Sequence, residues 1–504
     1  MAGDRGDGTH LKSCYRFPGP RRGGQWSRGV WLGMFVGLLA VLAAPAAHAA
    51  PPIKIGFGVT NLAKDQLHLE QGFGSPSDTG ASKTVAGYLH DQSAGMVHVR
   101  LPWCRIEPSN STTNGYNEAV LNNVYEWVEN ANAGGEDTLI SVDTEAPVFA
   151  RTDAMQHKAN GDTLTGSGCA SQSPGADAVY PAGDPAPAAT TQAENHYADA
   201  VEALMFCVAA DPRDTAGCPN TSLLGHVQLE LGDETNYWHN WQTGICENGD
   251  RWWQVGIHQD DGTYSKCNSA IPDNNVGRID RTDADFYGNM VNITAQQVHQ
   301  DFGGFARVVL GGDFMHSGQW QSAHPDGLDY LSRIYQRLGS GAGWDYASGR
   351  AWDKVGMHLG PCNGLDVTLW AGCTAQGGSG SVQERIDGVR NLLNTYPADD
   401  KEIWITGLLD LCPGECSPSD PSAGQGQATR IKNIWDGIVN NYCGGAHRVG
   451  LVTFARLPNP GVGAERNIGF MTAGGEPWTT SPTTWEKKPV YRTMNSELSS
   501  VNCQ

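Results

Sequence analysis

The chain of 504 residues has few charged side chains, and above all few positive ones. Charged residues make up 17% of it, against about 25% in an average soluble domain, and 34 Lys and Arg stand against 54 Asp and Glu. A net charge of −20 argues against a nucleic-acid-binding surface, because phosphate recognition needs clustered Lys and Arg. Polyanionic substrates are disfavoured for the same reason.

Long apolar runs are also scarce, and the one near the N-terminus is too short for a bilayer. Arginines precede the apolar run 30–44, Pro45 ends it, and Ala-His-Ala at 47–49 forms a small-x-small cleavage pattern. A transmembrane helix needs about 20 apolar residues. We therefore predict a secretory signal peptide at residues 1–49 and a mature protein that is secreted, extracellular or periplasmic, and free of the membrane. The signal holds six basic and two acidic residues, so the mature net charge is −24.

Tight cysteine pairs of the kind that bind zinc are absent. Only Cys14 of the 13 cysteines lies in the signal, and no Cys-x₂-Cys pair has a matching second half. The remaining 12, an even number, suit an exported protein whose disulfides close long loops. No Asp-x-Asp-x-Asp-Gly calcium loop is present either, so we expect neither a metal nor a cofactor. The pairs close enough in sequence to form local bridges are Cys207/Cys218, Cys246/Cys267, Cys362/Cys373 and Cys412/Cys416.

What the sequence does contain is a regular alternation of short apolar runs and amphipathic segments. Strand and helix patterns alternate about eight times, which is typical of a (β/α)₈ TIM barrel. A doubly wound sheet is the alternative, but Gly-Phe-Gly at 56–58 lacks the third glycine of a phosphate-binding turn. The predicted strands are 53–59, 96–101, 138–142, 226–231, 306–310, 354–358, 402–406 and 448–454. The predicted helices are 117–132, 192–209, 284–300, 327–338, 382–395 and 428–440.

The length beyond a minimal barrel falls in segments rich in Gly, Pro and Ser. We predict one α/β domain, a single TIM barrel at residues 50–484 with long disulfide-stapled βα loops. A short C-terminal element at 485–504 packs on it, and we expect a monomer. Functional side chains are expected at the carboxyl ends of the strands, where barrel enzymes place their sites. The long insertions are residues 161–189, 243–275, 361–380 and 411–426, after strands three, four, six and seven.

The strongest chemical signal lies in segment 226–238, the fourth predicted strand and the loop after it. The apolar run ends in Asp233 and Glu234, and an aromatic-rich loop follows. Because alternate residues share a strand face, Glu230, Gly232 and Glu234 should point the same way. A carboxyl group walled by indoles is poorly solvated, which raises its pKa and suits a general acid. The competing interpretation is that both acidic residues only cap the next element.

Residues 229–236, Leu-Glu-Leu-Gly-Asp-Glu-Thr-Asn, resemble the strand-4 motif Trp-Glu-Leu-Trp-Asn-Glu-Pro-Asn of the clan A glycoside hydrolases. The nearest type is family 39, the xylosidases and iduronidases. The resemblance implies a TIM-barrel glycoside hydrolase acting on an oligo- or polysaccharide. It places the general acid/base on Glu234 and substrate binding on Asp233, on the strand-2 Arg100 and on the strand-6 His358. Segments 97–103, 143–147, 355–358, 401–406 and 488–491 match further family motifs in the same order.

The sequence departs from the family where the family has its nucleophile. The family continues Ile-Trp-Ile-Thr-Glu on strand 7, whereas this chain has Gly407 after Ile-Trp-Ile-Thr. Retaining hydrolysis needs a second carboxylate about 5–5.5 Å from the acid, and inverting hydrolysis one about 6.5–9.5 Å away. Asp313, after strand 5, or Asp410 would have to supply this displaced carboxylate. Each of them also fits a solvated loop carboxylate or a helix cap.

The 16 tryptophans support a carbohydrate ligand, because indole faces pack against the C–H faces of sugar rings. We assign Trp103 and Trp238 to substrate binding, whereas Trp127 and Trp435 lie on predicted helices and are expected in the core. The other tryptophans near predicted strand ends are Trp241, Trp252, Trp253, Trp320 and Trp370.

Two functions fit these residues. The first is a secreted glycoside hydrolase with Glu234 as general acid/base and a displaced second carboxylate. The second is a catalytically inactive carbohydrate-binding pseudoenzyme on the same barrel, in which the cleft is kept and the nucleophile is lost at Gly407.

Overall fold

The computed structural model describes the barrel strands and most of the helices. The predicted signal peptide and most of the four insertions lie outside the described residues. Those residues are 52–58, 73–108, 115–143, 193–209, 223–232, 257–258, 264–265, 273–311, 328, 331–332, 334–335, 352–359, 382–396, 401–408, 421–454, 457, 469–472 and 481–499.

Eight parallel strands close into a barrel, which confirms the predicted TIM-barrel fold. Each strand pairs with the next along the chain, and the last pairs with the first. The strands are β1 (Lys54–Gly58), β2 (Met96–Pro102), β3 (Asp137–Asp143), β4 (Val227–Leu231), β5 (Arg307–Leu310), β6 (Lys354–Leu359), β7 (Glu402–Leu408) and β8 (Val449–Phe454).

The helices cover the barrel from outside with apolar faces. Trp127 and Trp435, predicted as core residues, are each 2% exposed. Trp127 packs edge-on against Phe73, and Trp435 packs against Phe454 with the two rings tilted. The predicted helix 327–338 is described only at five positions, all helical. The helices are α1 (Val85–Asp91), α2 (Trp103–Ile106), α3 (Glu118–Gly134), α4 (Ala193–Ala209), α5 (Asp273–Phe302), α6 (Val382–Asn394), α7 (Pro421–Tyr442) and α8 (Pro489–Leu498). Two short antiparallel ladders pair Ile257–His258 with Tyr264–Ser265 and Met471–Thr472 with Glu486–Lys487.

The barrel interior is built in layers, because inward and outward residues alternate along each strand. Outward residues join the large core beneath the helices. At the amino ends of the strands, Lys354 and Arg448 lie 3.0 and 2.5 Å from the carboxylate of Glu402. Burial opposes ionisation of Glu402, yet these two cations hold its pKa below the ordinary value. The apolar layer above this group consists of Met96, Leu139, Val309, Trp404 and Leu451.

Helix α8 and Lys487, just before it, are tied to α1 by polar contacts. The hydroxyl of Tyr491 donates to the carbonyl oxygen of Tyr88 at 3.1 Å, and Lys487 Nζ lies 3.0 Å from Asp91 Oδ2. The same ammonium group lies 4.6 Å from the centre of the Tyr491 ring, within cation–π range. The C-terminal helix is thereby attached beside the first helix of the barrel.

The cysteines correct one predicted pairing. Cys207 is a buried thiol whose Sγ lies 3.1 Å from the carbonyl oxygen of Leu121, so it is not bridged to Cys218. Cys104 and Cys443 are disulfide-bonded, although neither belongs to a predicted loop pair. The other three loop pairs lie outside the described residues, and the stapling of those loops stays a prediction.

Within the part of the chain that is described, no helix combines the length and the apolar character that a membrane span requires.

Glu136, which directly precedes β3, is a buried carboxyl group with a testable effect on stability. Its side chain is fully buried, and His90 Nε2 lies 3.2 Å from Oε1. Burial raises the pKa of Glu136 to about 8. The unfolded chain therefore releases this proton at lower pH than the folded chain, and stability falls between about pH 4.5 and pH 8.

We expect Glu136→Gln to remove this fall in stability, because glutamine has no proton to lose. The gain in unfolding free energy above pH 8 is at most a few kcal/mol, since one pKa unit corresponds to about 1.4 kcal/mol. Guanidinium unfolding at pH 5 and pH 8.5 measures it, with the exposed Glu118→Gln as control. An equal pH dependence in Glu136→Gln and the wild-type protein would contradict this assignment.

Candidate functional site

Glu230, in the middle of β4, is fully buried inside the barrel. Thr406 Oγ1 on β7 donates to Glu230 Oε1 at 2.6 Å, and the hydroxyl of Ser141 on β3 donates to Oε2. His98 Nε2 on β2 lies 2.6 Å from Ser141 Oγ and 3.7 Å from Glu230 Oε2. One carboxylate thus connects four strands of the barrel.

The direction of these hydrogen bonds follows from the single proton of a serine hydroxyl. Because Ser141 donates that proton to Glu230, its oxygen can only accept from His98. His98 Nε2 therefore carries a hydrogen, which the imidazole donates to Ser141 Oγ. This satisfies the requirement that a buried carboxylate be surrounded by donors.

Two glycines make room for the Glu230 side chain. A Cβ on Gly311, after β5, would lie 1.9 Å from the carbonyl oxygen of Gly232 and 2.9 Å from Glu230 Cγ. A Cβ on Gly356, in β6, would lie 2.8 Å from the carbonyl oxygen of Leu310 and 2.9 Å from Glu230 Oε1. Real Cβ atoms do not approach so closely, so a larger residue at either position would clash with a backbone carbonyl group as well as with the Glu230 side chain. No motif in the sequence predicts this network; its signal is polar or small residues at alternate positions of otherwise apolar strands.

The chain leaves β4 through a turn that only glycine adopts readily. Gly232 has φ 84°, and its N–H donates to the carbonyl oxygen of Val142 at 2.7 Å. The hydroxyl of Tyr287 lies within hydrogen-bond distance of the carbonyl oxygens of Leu231 and Gly311. Tyr287 thereby fixes the ends of β4 and β5 relative to each other.

This turn corrects one step of the sequence interpretation. Glu230 faces the barrel interior, but the strand ends at Leu231 and the next residue is left-handed. Strand alternation therefore does not carry over from Glu230 to Glu234. The predicted catalytic residues Glu234, Asp313 and Asp410, and the predicted ligands Asp233 and Trp238, lie outside the described residues.

Near its end, β7 contains one extra residue. Met357 of β6 pairs with Ile405 and His358 pairs with Gly407, so Thr406 has no partner of its own. Such a bulge turns two consecutive residues to the same side of a sheet. Both Thr406 and Gly407 consequently face the barrel interior.

His358 and Gly407 are in direct contact at the barrel mouth. His358 is 5% exposed. A Cβ added to Gly407 would lie 3.0 Å from His358 Cδ2, 3.1 Å from Cγ and 3.2 Å from Nε2. The imidazole ring therefore fills the space into which a side chain at residue 407 would begin to extend.

The two other predicted ligands that are described have different environments. Arg100 is half-buried and follows the inward alternation of β2, after His98. Trp103 is fully buried, packs edge-on against Tyr197 with ring centres 5.4 Å apart, and donates to Glu107 Oε2 at 3.0 Å. Because Trp103 is completely buried, it offers no ring face for the predicted stacking on a sugar. Its role in this structure is core packing.

Glu107, the acceptor for Trp103, forms a further acid–imidazole contact. Its Oε1 lies 2.9 Å from His196 Nδ1, at the start of α4. Burial raises the pKa of Glu107. Burial disfavours the charged form of His196, yet the contact with Glu107 raises its pKa above the ordinary value. The pair connects the segment after β2 to α4.

Among the described residues, no group of three or more His, Cys, Asp or Glu side chains is placed to hold a metal ion.

No family model and no curated protein matches the chain. Among solved structures, it resembles a family 39 glycoside hydrolase from the gut symbiont Bacteroides cellulosilyticus WH2, with 12% identity, a TM-score of 0.47 and 90% of this chain covered. The chain spans 64% of that enzyme's length. A hyperthermophilic β-glucosidase from Pyrococcus furiosus has 10% identity and a TM-score of 0.48, over 90% of this chain and 96% of the enzyme. With TM-scores below 0.5, the barrel assignment rests on the strand pairing of this chain itself.

We expect Glu230→Ala to lower the free energy of unfolding by about 3–5 kcal/mol. The substitution leaves two buried hydroxyl groups without their acceptor and opens a cavity inside the barrel. Denaturant unfolding measures the loss, with the exposed Glu486→Ala as control. A loss no larger than that of the control would show that the network contributes nothing to stability.

Proposed function

We propose that this protein is a secreted glycoside hydrolase that acts on an oligo- or polysaccharide at the carboxyl end of its barrel. Glu234 is its general acid/base, and Asp313 or Asp410 supplies the second carboxylate. Asp233, Arg100 and His358 orient the sugar. Signal cleavage after residue 49 gives the mature monomer.

The observation that supports this proposal best is the barrel mouth. The strand that leads to Glu234 is a barrel strand, and its residue Glu230 faces the interior. His358 and Gly407, on the two strands that the resemblance assigns to substrate binding and to the nucleophile, face the interior side by side. Active sites of such barrels lie at this end.

The second candidate is a carbohydrate-binding pseudoenzyme, and the contact between Gly407 and His358 favours it. The position that matches the family's nucleophile faces inward but has no side chain, and an imidazole covers it. A barrel with this arrangement can keep a sugar-binding cleft without forming a glycosyl-enzyme. The two candidates differ in turnover and not in binding.

We expect Glu234→Gln to lower kcat/KM on a responsive polysaccharide by about 100-fold or more, the usual contribution of a general acid. Reducing-sugar release from a panel of xylans, glucans and mannans measures it. Glu118→Gln, exposed on α3, is the control and should retain full activity. Full activity of Glu234→Gln would refute the acid/base assignment, whereas glycan-array binding without turnover by the wild-type protein would favour the pseudoenzyme.

A further inference from the structure

The ends of β4 and β5 are bridged by one buried side chain on α5. Tyr287 is 3% exposed, and its hydroxyl lies within hydrogen-bond distance of two carbonyl oxygens, those of Leu231 and Gly311. Leu231 is the last residue of β4, and Gly311 is the first residue after β5. A phenol has one proton and carbonyl oxygens only accept, so the two strand ends share a single donor.

Two glycines let these strand ends approach each other closely. A Cβ on Gly311 would lie 1.9 Å from the carbonyl oxygen of Gly232, so the two backbones are in contact there. On the opposite side, the N–H of Gly232 donates to the carbonyl oxygen of Val142 on β3 at 2.7 Å. The end of β4 is thus fixed between β3 and β5, and the Tyr287 hydroxyl bridges the junction with β5.

Two of the proposed catalytic carboxylates follow this junction directly in the chain. Glu234 comes two residues after Gly232, and Asp313 comes two residues after Gly311. Because consecutive Cα atoms are about 3.8 Å apart, each carboxylate residue has its Cα within about 7.6 Å of the Cα of its glycine. Asp410, the other candidate, follows β7, and two strands separate β7 from β4 in the barrel. The junction therefore connects the acid/base to Asp313 and not to Asp410.

We propose that Tyr287 is a positioning residue that holds Glu234 and Asp313 at a fixed separation, with Asp313 as the second carboxylate. The inference rests on the proposed function, because it presumes hydrolysis at the barrel mouth, and it chooses between the two carboxylates left open there. The separation matters because it distinguishes retaining from inverting hydrolysis. Tyr287 acts through the backbones of the two strand ends and not by contact with the sugar.

Tyr287→Phe tests the proposal, because it keeps the ring and removes only the shared donor. The two strand ends can then move apart, and a displacement of about 1 Å can cost up to about 100-fold in rate. On the polysaccharide that the wild-type protein hydrolyses best, we expect kcat to fall about 10-fold or more. KM should change less than about 3-fold, since Arg100 and His358 lie on β2 and β6, away from this junction.

Tyr197→Phe is the matched control. Tyr197, on α4, is fully buried, and its hydroxyl donates to the carbonyl oxygen of Val142 at 2.6 Å. That carbonyl group keeps the N–H of Gly232 as a donor, and β3 leads to neither proposed carboxylate. We expect the two tyrosine variants to lose similar melting temperature, whereas Tyr197→Phe should keep kcat within about 2-fold of the wild-type value.

Double mutants show whether the tyrosine acts through the carboxylates. Glu234→Gln alone should lower kcat about 100-fold or more. Adding Tyr287→Phe to it should lower the residual rate by less than about 2-fold, because a general acid that is absent cannot be misplaced. Asp313→Asn should lower kcat at least about 10-fold more than Asp410→Asn does.

A kcat of Tyr287→Phe equal to that of the wild-type protein would overturn the proposal, as would an equal loss of kcat in Tyr197→Phe. A full additional loss from Tyr287→Phe in the Glu234→Gln background would overturn it too, and so would a larger loss from Asp410→Asn than from Asp313→Asn. A wild-type protein that hydrolyses no polysaccharide of the panel refutes the proposed hydrolase together with this inference. Hydrolysis that is insensitive to Tyr287→Phe refutes only the inference.

Discussion

The carboxylate of Glu230 in the middle of the barrel is the constraint on which the interior depends. A buried carboxylate is tolerated only when donors surround it, and here hydroxyls from β3 and β7 donate to it, while an imidazole from β2 hydrogen-bonds the β3 hydroxyl. The carboxylate also needs space, and the glycines at 311 and 356, where backbone carbonyl groups exclude a side chain too, leave that space. The Glu230 side chain thus depends on residues of β2, β3, β6 and β7, besides its own strand β4, and on the glycine at the end of β5.

The same constraint extends to the barrel mouth. Thr406 reaches Glu230 from a bulge, and the bulge turns Gly407 inward beside His358. At the end of β4, the left-handed Gly232 and the hydroxyl of Tyr287 fix where the chain leaves the barrel towards Asp233 and Glu234. A rigid polar layer therefore supports the strand ends from below, as a preorganised site requires.

At the mouth of this barrel, β7 turns a glycine inward beside His358. The sequence resemblance matches this strand, which is closed into the barrel, to the strand that bears the nucleophile in clan A glycoside hydrolases. An imidazole from the neighbouring strand covers that glycine. Hydrolysis with a displaced carboxylate and sugar binding without hydrolysis are the two functions proposed for this barrel, and the proposed experiments separate them.

The sequence by itself determined the barrel, because eight apolar runs separated by amphipathic helices leave few ways to bury both faces of a parallel sheet. It also identified the core positions of Trp127 and Trp435, through helical periodicity. Only the tertiary structure decided how the strand ends are arranged. Trp103 is buried because α4 covers it with Tyr197. The β7 bulge depends on the pairing of β7 with two neighbouring strands. The hydrogen bond between Thr406 and Glu230 joins residues 176 positions apart. Such contacts depend on barrel closure, which brings distant strands together around one axis, and no local sequence pattern encodes them.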